Sequence, residues 1–373
     1  MFPDSEVYLK TENLQVTGSF KLRGAYYKMS RLTEEQKRKG VVACSAGNHA
    51  QGVALAASRQ GIEAIICIPE GAPISKVEAT RSLGATVELV KGVYDDAYER
   101  AHQICEETGR TMIHPFDDED VIAGQGTLGL EILNQLPDVD VVIVPVGGGG
   151  LISGVAYVLK MLRPDVKVYG VQAAGAPSML NSLEHHKIEA LASVSTVSDG
   201  IAVKCPGQLT YNYVEKFVDK VVTVTDDEVA CAILDLMEKQ KLVAEGAGAV
   251  AVAAAMFNKV DIKGKKTVCL VSGGNIDVTI LSRVINRALL REGRYADFTI
   301  ALQDKPGQLA EISSIVARHG ANVVGVFHEK AGSGTDLNSC TLRLTIETRD
   351  HKHVMEIKEA VKKAGYDIIA ELS

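Results

Sequence analysis

Residues 141–151 read Val141-Val142-Ile143-Val144-Pro145-Val146-Gly147-Gly148-Gly149-Gly150-Leu151. A β-branched apolar run that breaks into four glycines predicts a buried strand, a tight turn and a helix over Leu151–Leu162. The run does not alternate with polar residues, so both faces of the strand are covered, as in a parallel sheet between helical layers. Outward from this stretch the same unit recurs. Val41–Ala43, Ala64–Ile68, Thr86–Val90, Val166–Val171, Val221–Thr225 and Thr267–Val271 read as further strands. Lys76–Leu83, Asp95–Thr108, Asp118–Gln135, Asp226–Lys239 and Ile276–Arg291 read as the helices between them. The expectation is an α/β catalytic domain over 1–294, in two parallel-type lobes, with a small lobe at about 40–117 inserted. Ligands of such sheets sit at the carboxyl ends of the strands.

Past residue 294 the pattern shortens. Phe298–Leu302, Asn322–Glu329, Leu342–Glu347 and Asp367–Glu371 read as strands, and Pro306–His319 and His353–Ala364 as helices. The order βαββαβ predicts a ferredoxin-like domain over 298–373. No low-complexity segment or fixed-period repeat interrupts the chain.

The bulk properties narrow the function. The 373 residues suit two or three domains, and 46% hydrophobic with 23% charged residues is an ordinary globular composition. The net charge of -7 is spread without a basic stripe, which argues against nucleic acid as a partner. Cys44, Cys67, Cys105, Cys205, Cys231, Cys269 and Cys340 are odd in number and scattered. They read as free thiols in a reducing, cytoplasmic setting, and not as disulfides or a CxxC zinc site. The nine histidines show no HExxH spacing. Met1–Lys10 carries no signal-peptide core, and no apolar run approaches about 18 residues, so no membrane span is expected.

Four segments at strand–helix junctions can carry chemistry. Thr17-Gly18-Ser19-Phe20-Lys21-Leu22-Arg23-Gly24 places a lysine after a tight turn. A lone lysine is normally a solvated charge. Held beside apolar groups, its amine can lose its proton, form a Schiff base and act as a base. Ala43-Cys44-Ser45-Ala46-Gly47-Asn48-His49 opens a helix after a strand, where free N–H groups favour a carboxylate. Its bland reading is an N-cap by Ser45 or Asn48. It also comes close to the G-x-S-x-G nucleophile elbow of serine hydrolases, with Ala43 replacing the first glycine and no acid and base partners in the usual order. Gly147, Gly148, Gly149 and Gly150 form a phosphate cradle or a flexible turn; no Gly-Lys-Ser/Thr follows, so this is not a Walker loop. Ser272-Gly273-Gly274-Asn275 offers a neutral hydroxyl at a strand end, or a simple cap. Gly246-Ala247-Gly248-Ala249-Val250-Ala251 fits G-x-G-x-x-A but follows a helix, so no dinucleotide site is expected there. One amine, one carboxylate site, one phosphate cradle and one hydroxyl suit pyridoxal phosphate and an amino acid.

Ser19-Phe20-Lys21-Leu22-Arg23-Gly24-Ala25, Ser45-Ala46-Gly47-Asn48-His49-Ala50-Gln51-Gly52, Gly147 to Leu151, Glu245-Gly246-Ala247-Gly248-Ala249 and Ser272-Gly273-Gly274-Asn275 together resemble the threonine dehydratases. These are fold-type II pyridoxal-phosphate enzymes, similar to serine racemase and the tryptophan synthase β-subunit. The motifs keep the family's order and span nearly all of 5–290. The tail, with Asp304-Lys305-Pro306-Gly307 before its first helix, resembles an ACT domain, a class that binds amino acids as feedback signals. The resemblance implies α,β-elimination of L-threonine and L-serine, an amino-acid or other small effector, and a homodimer or homotetramer. It implies that Lys21 forms the Schiff base, Asn48 meets the ring hydroxyl, and Gly147–Gly150 hold the phosphate. Ser272 would face the pyridine nitrogen, Phe20 would pack near the ring, and Ser45, Ala46, Gly47, Asn48 and His49 would grip the substrate carboxylate. Gln125 and Gly126 resemble a stretch near the family's site.

The sequence departs from its relatives in two respects. Ala46 stands where the racemases have a proton-carrying serine, which speaks against racemisation. Gln172, in Val171-Gln172-Ala173-Ala174, stands where serine racemase has a metal-binding acid, so no divalent ion is expected there and a carbonyl-held monovalent cation is the remaining expectation. Family members also carry a further segment before the strand matching Glu6–Lys10, so the front of the chain is expected to be short. Two other readings stay open: a serine hydrolase using Ser45, and an amino-acid sensor whose catalytic part is idle.

Overall fold

The structure, a computed structural model, describes residues 4–330 and 339–372. Residues 1–3, 331–338 and 373 of the expected domains lie outside the described residues. Contacts divide the chain into two compact units, Met1–Asp277 and Val278–Ser373. The sequence pattern changes near 295; the structure groups the preceding helix with the second unit, where it packs on that unit's first strand.

The first unit begins with β1 (Glu6–Thr11), α1 (Lys21–Ser30), α2 (Glu34–Lys39), β2 (Val41–Cys44), α3 (Asn48–Gln60), β3 (Ala64–Pro69) and α4 (Ile74–Ser82). It continues through β4 (Thr86–Val90), α5 (Tyr94–Thr108), β5 (Thr111–Met112), α6 (Glu119–Gln135), β6 (Val141–Pro145) and α7 (Gly150–Leu162). It closes with β7 (Lys167–Ala173), α8 (Ser178–Glu184), α9 (Gln208–Phe217), β8 (Lys220–Val224), α10 (Asp226–Asp235), α11 (Gly246–Met256) and β9 (Lys266–Val271). Two wholly parallel sheets result, one ordered β1-β9-β6-β7-β8 and the other β4-β3-β2-β5.

Burial explains why the strands read as unbroken apolar runs. On β2, Val41 and Ala43 pack with Leu22, Met29 and Val53 on one face, while Val42 and Cys44 pack with Ala97, Ala101 and Ile104 of α5 on the other. In the larger sheet, Val142 and Val144 of β6 join Ile152, Val155 and Leu159 of α7. β5 is only two residues long, too short to leave a pattern in the sequence. β8 stops at Val224 because Thr225 caps α10: its hydroxyl accepts from Glu228 N, and Glu228 accepts from Thr225 N. The helix expected over Asp226–Lys239 instead turns into a π-helical stretch at Leu236–Gln240 and ends at left-handed Lys241.

The second unit runs α12 (Val278–Arg291), β10 (Tyr295–Gln303), α13 (Gln308–Arg318), β11 (Asn322–Lys330), β12 (Ser339–Glu347), α14 (His351–Lys363) and β13 (Asp367–Leu372). Its four strands form an antiparallel sheet in the order β11-β12-β10-β13. Phe298, Ile300, Leu342, Leu344 and Ile346 of the sheet bury against Ile312, Ile315, Val354, Ile357 and Val361 of α13 and α14. Among the described residues, no helix of either unit is long and apolar enough to cross a membrane.

Helices that place the first unit's loops approach closely through glycines. A Cβ on Gly124 of α6 would lie 2.7 Å from Gly24 Cα of α1, and one on Gly52 of α3 would lie 3.0 Å from the backbone of Lys21. Where α6 meets α7, a Cβ on Gly154 would fall 2.2 Å from Ile122 O and 2.6 Å from Gly126 N. Backbone atoms cannot move aside cheaply, so Gly154→Ala is expected to lower stability by about 1–3 kcal/mol, by overpacking. Gly71→Ala, which meets nothing within 4 Å, is expected to hold stability or raise it by up to about 1 kcal/mol. Paired urea denaturation curves check this, and equal midpoint losses in the two variants would refute it.

Candidate active site

Lys21 opens α1, and the turn before it is clamped to a distant loop. Ser19 bridges Gly273, Phe20 N donates to Ser272 O at 3.1 Å, and Gly274 N donates to Gly18 O at 2.9 Å. Asn275 Nδ2 adds a bond to Thr17 O at 2.7 Å. Gly18 sits at φ +68, a conformation other residues seldom adopt, and a Cβ there would strike Asn275 Oδ1. The other side of α1 is tied down by Arg23. Its guanidinium grips Glu12 at 2.7 and 2.9 Å and Glu131 of α6 at 2.5 and 2.9 Å. These bonds to Arg23, joined by Lys10, hold Glu131 down at about 2.

With the turn fixed, the Lys21 ammonium points into the protein and donates to Pro115 O at 2.7 Å, 5.4 Å from the centre of the Phe20 ring. Burial lowers its pKa from 10.5 to about 8, against a smaller upward pull from Glu245. A neutral amine is therefore within reach near neutral pH, as a nucleophile or base requires.

Two helix ends converge on the chemistry without side-chain caps. Gly149 caps α7 at φ +96 with no side-chain hydrogen bond, and Gly47 caps α3 in the same bare way. Free N–H groups and the helix dipole at such ends bind anions. The glycine loop is shaped from below. A Cβ on Gly148 would meet the Phe116 ring at 2.5 Å, and one on Gly147 would meet Ile201 Cα at 3.0 Å. Thr210 Oγ1 donates to Gly148 O at 2.6 Å and steadies the loop. At Gly47, by contrast, a Cβ would meet nothing within 4 Å, so that loop faces open space.

Ser45 Oγ accepts from Gly47 N at 3.1 Å and Ala46 presents only a methyl group. Asn48 Oδ1 accepts from Asn275 Nδ2 at 2.7 Å, while its Nδ2 donates to Glu245 Oε1 at 2.6 Å. The His49 ring is buried with Nε2 2.8 Å from Ile113 O. Facing a carbonyl, that nitrogen must donate. Burial, with the Lys21 charge adding to it, pushes the imidazole down to about 3, so it is neutral. His49 therefore offers a carboxylate its backbone N–H and not a positive ring. Ser272 Oγ is buried and donates to Ala247 O at a long 3.3 Å. Gln172 is buried, with Oε1 accepting from Leu180 N at 2.9 Å. Gln125 lies inside the protein against Gly24, with no hydrogen-bond partner on its amide.

These groups fit pyridoxal phosphate. A desolvated amine, two uncapped helix ends and a buried hydroxyl with a weak bond are what an aldehyde, a phosphate, a carboxylate and a ring nitrogen need. Three contributors went unassigned from the sequence. The motifs around Asn275 and Glu245 give neither side chain a role, and the Pro115-Phe116 wall carries no glycine signature. The only local hint for Glu245 is a single carboxylate beside the otherwise apolar Gly246–Met256.

The chain as a whole resembles known proteins. The family model described as "Pyridoxal-phosphate dependent enzyme" matches residues 2–274. The chain is 53% identical over 363 residues to the L-threonine ammonia-lyase of Thermotoga maritima, covering 97% of this chain and 90% of that protein. It is 48% identical over 281 residues to the catabolic L-threonine dehydratase TdcB of Escherichia coli, covering 75% of this chain and 85% of that one. Among solved structures, processed threonine deaminase isoform 2 from Solanum lycopersicum superposes with a TM-score of 0.74 at 42% identity, over 76% of this chain and 84% of that one.

Glu245 makes the site sensitive to pH. Burial, reinforced by the charge of Asp199, raises its carboxyl from 4.5 to about 7, although Asn48 pulls the other way. In the unfolded chain the group ionises near its ordinary value. Between those two pH values the folded protein holds an extra proton, so stability falls as pH rises through that window. Glu245→Gln keeps an acceptor for Asn48 and removes the proton. The expected outcome is a variant whose apoprotein loses less stability than wild type between pH 5 and pH 8, read from denaturation midpoints. Parallel pH profiles for the two proteins would refute the assignment.

Proposed function

The chain belongs to the pyridoxal-phosphate-dependent enzyme family, and from that premise we propose that it eliminates water and ammonia from L-threonine and L-serine, giving 2-oxobutanoate or pyruvate. It is a carbon–nitrogen lyase of the threonine ammonia-lyase group. The observation that carries the proposal is the buried Lys21 amine, with its lowered pKa, set among two bare helix ends. The 53% identity over nearly the whole chain supports threonine as the substrate.

Bound here, pyridoxal phosphate supplies an electron sink that acidifies the substrate's Cα–H bond. Backbone amides of Gly147–Gly150 and the start of α7 would hold its phosphate. Asn48 Nδ2, which keeps a second hydrogen beyond its bond to Glu245, would donate to the ring hydroxyl. The Ser272 hydroxyl would turn from Ala247 O toward the ring nitrogen. Amides from Ser45 through His49 would hold the substrate carboxylate and fix the amino acid on one face. Lys21 Nζ, the amine that would hold the cofactor, would also serve as the base that accepts the Cα proton. Ala46 has no proton to give on the opposite face, which supports elimination without racemisation.

The βαββαβ portion of the second unit supports reading residues 298–373 as an ACT-like regulatory domain that takes an amino acid or other small effector. A cytoplasmic homodimer or homotetramer is the expected form.

The test is an absorbance spectrum with added pyridoxal phosphate, followed by L-threonine. Wild type should develop a band at the visible edge and release a 2-oxo acid. Lys21→Ala should lose the band and at least about a thousandfold in kcat, as a variant lacking both nucleophile and base does. A wild-type protein that never acquires the band would overturn the proposal.

A further inference from the structure

The second unit carries a group of side chains that the reaction does not use. Cys340 lies on β12, between Leu302 of β10 and Lys330 of β11 in the strand register. His328 of β11 pairs with Leu342, two residues along from Cys340, so both side chains stand on one face of the sheet. His328 Nε2 is 3.2 Å from Cys340 Sγ. Asp304, in the turn that follows β10, brings a carboxylate to the same point. One ligand atom from each of Asp304, His328 and Cys340 lies within 4.8 Å of the other two. Cys340 is 2% exposed, while Asp304 and His328 are exposed.

We propose that Asp304, His328 and Cys340 form a binding site for one divalent transition-metal ion of the zinc class. A thiolate, an imidazole and a carboxylate are the three ligand types that zinc takes, and three protein ligands leave a fourth position for water. The spacing suits one small ion at the centre of the group. The ligands come from three neighbouring strand ends, so a single ion would tie β10, β11 and β12 together. The donor set argues against calcium or magnesium, which need a majority of oxygen ligands. Binding breaks the Cys340 S–H bond, forms the metal–sulfur bond and releases the proton to solvent.

The experiment uses the full-length protein loaded with pyridoxal phosphate, in a Cys205→Ser background that removes the exposed thiol. Cobalt(II) is titrated in, then displaced with zinc(II). The expected result is one cobalt per chain with a thiolate charge-transfer band in the near ultraviolet, abolished by zinc and absent in Cys340→Ser. Loss of an outer partner alone weakens metal sites about 10- to 100-fold, so His328→Gln should bind zinc at least about 100-fold more weakly. His328 is exposed, and its replacement should leave the circular dichroism spectrum and denaturation midpoint unchanged. If Cys340→Ser fails to fold, His328→Gln decides alone. The proposal is overturned if the band never forms, if it persists in Cys340→Ser, or if His328→Gln binds zinc as tightly as its parent.

Discussion

The catalytic unit depends on a backbone clamp between two segments far apart in the chain. The turn at Thr17–Phe20 is bonded to Ser272–Asn275 through a β-bridge, made by two backbone hydrogen bonds, and through the Asn275 amide. Main-chain contacts of this kind leave side chains free for other work while setting their origins within narrow limits. The clamp puts the first residue of α1 and the hydroxyl of Ser272 into one site. Arg23 then prevents α1 from rotating, since its charge-assisted bonds reach both Glu12 and Glu131. Lys21 can stay desolvated because the elements around it are held by other residues.

A second economy concerns the helix ends. Polar caps would satisfy the first amides of α3 and α7 and make the helices more stable on their own. Neither helix has one, and glycine holds the cap position of each. Stability is recovered where α6 packs on α7 and on α1 through Gly124, Gly126 and Gly154. The amides remain available for anions, and close packing elsewhere offsets what the missing caps forgo.

Most of the catalytic unit could be read from local pattern. Apolar runs such as Val141–Pro145 and glycine turns such as Gly147–Gly150 announce a covered parallel strand and the helix after it, and the seven strands so identified are all present. What stayed hidden needs partners distant in sequence. β5 is held by only two residue pairings with β2, too few to set up a period. The π-helical stretch at Leu236–Gln240 follows a helical pattern with no break in it. Within the site, motifs marked Asn48 and Ser272, but nothing nearby in sequence tells that Asn48 lies between Glu245 and Asn275. His49 belongs to the same class: its place after Ser45 suggests an anion grip, while burial commits its ring to Ile113. Tertiary burial decides a titratable side chain's role more than neighbouring residues do.

The clamp also orders events during synthesis. β1 pairs along its whole length with β9, and the turn at Thr17–Phe20 closes on residues 272–275. A chain emerging from the ribosome makes β1 long before β9 and can pair it only after some 250 more residues have followed. Such high contact order slows folding and leaves an unpaired strand exposed in the meantime. The small sheet of β2 to β5 pairs its strands entirely within residues 41–112 and can assemble early. The nascent protein would therefore carry a formed lobe and an open seam until nearly the last residue of its catalytic unit is in place.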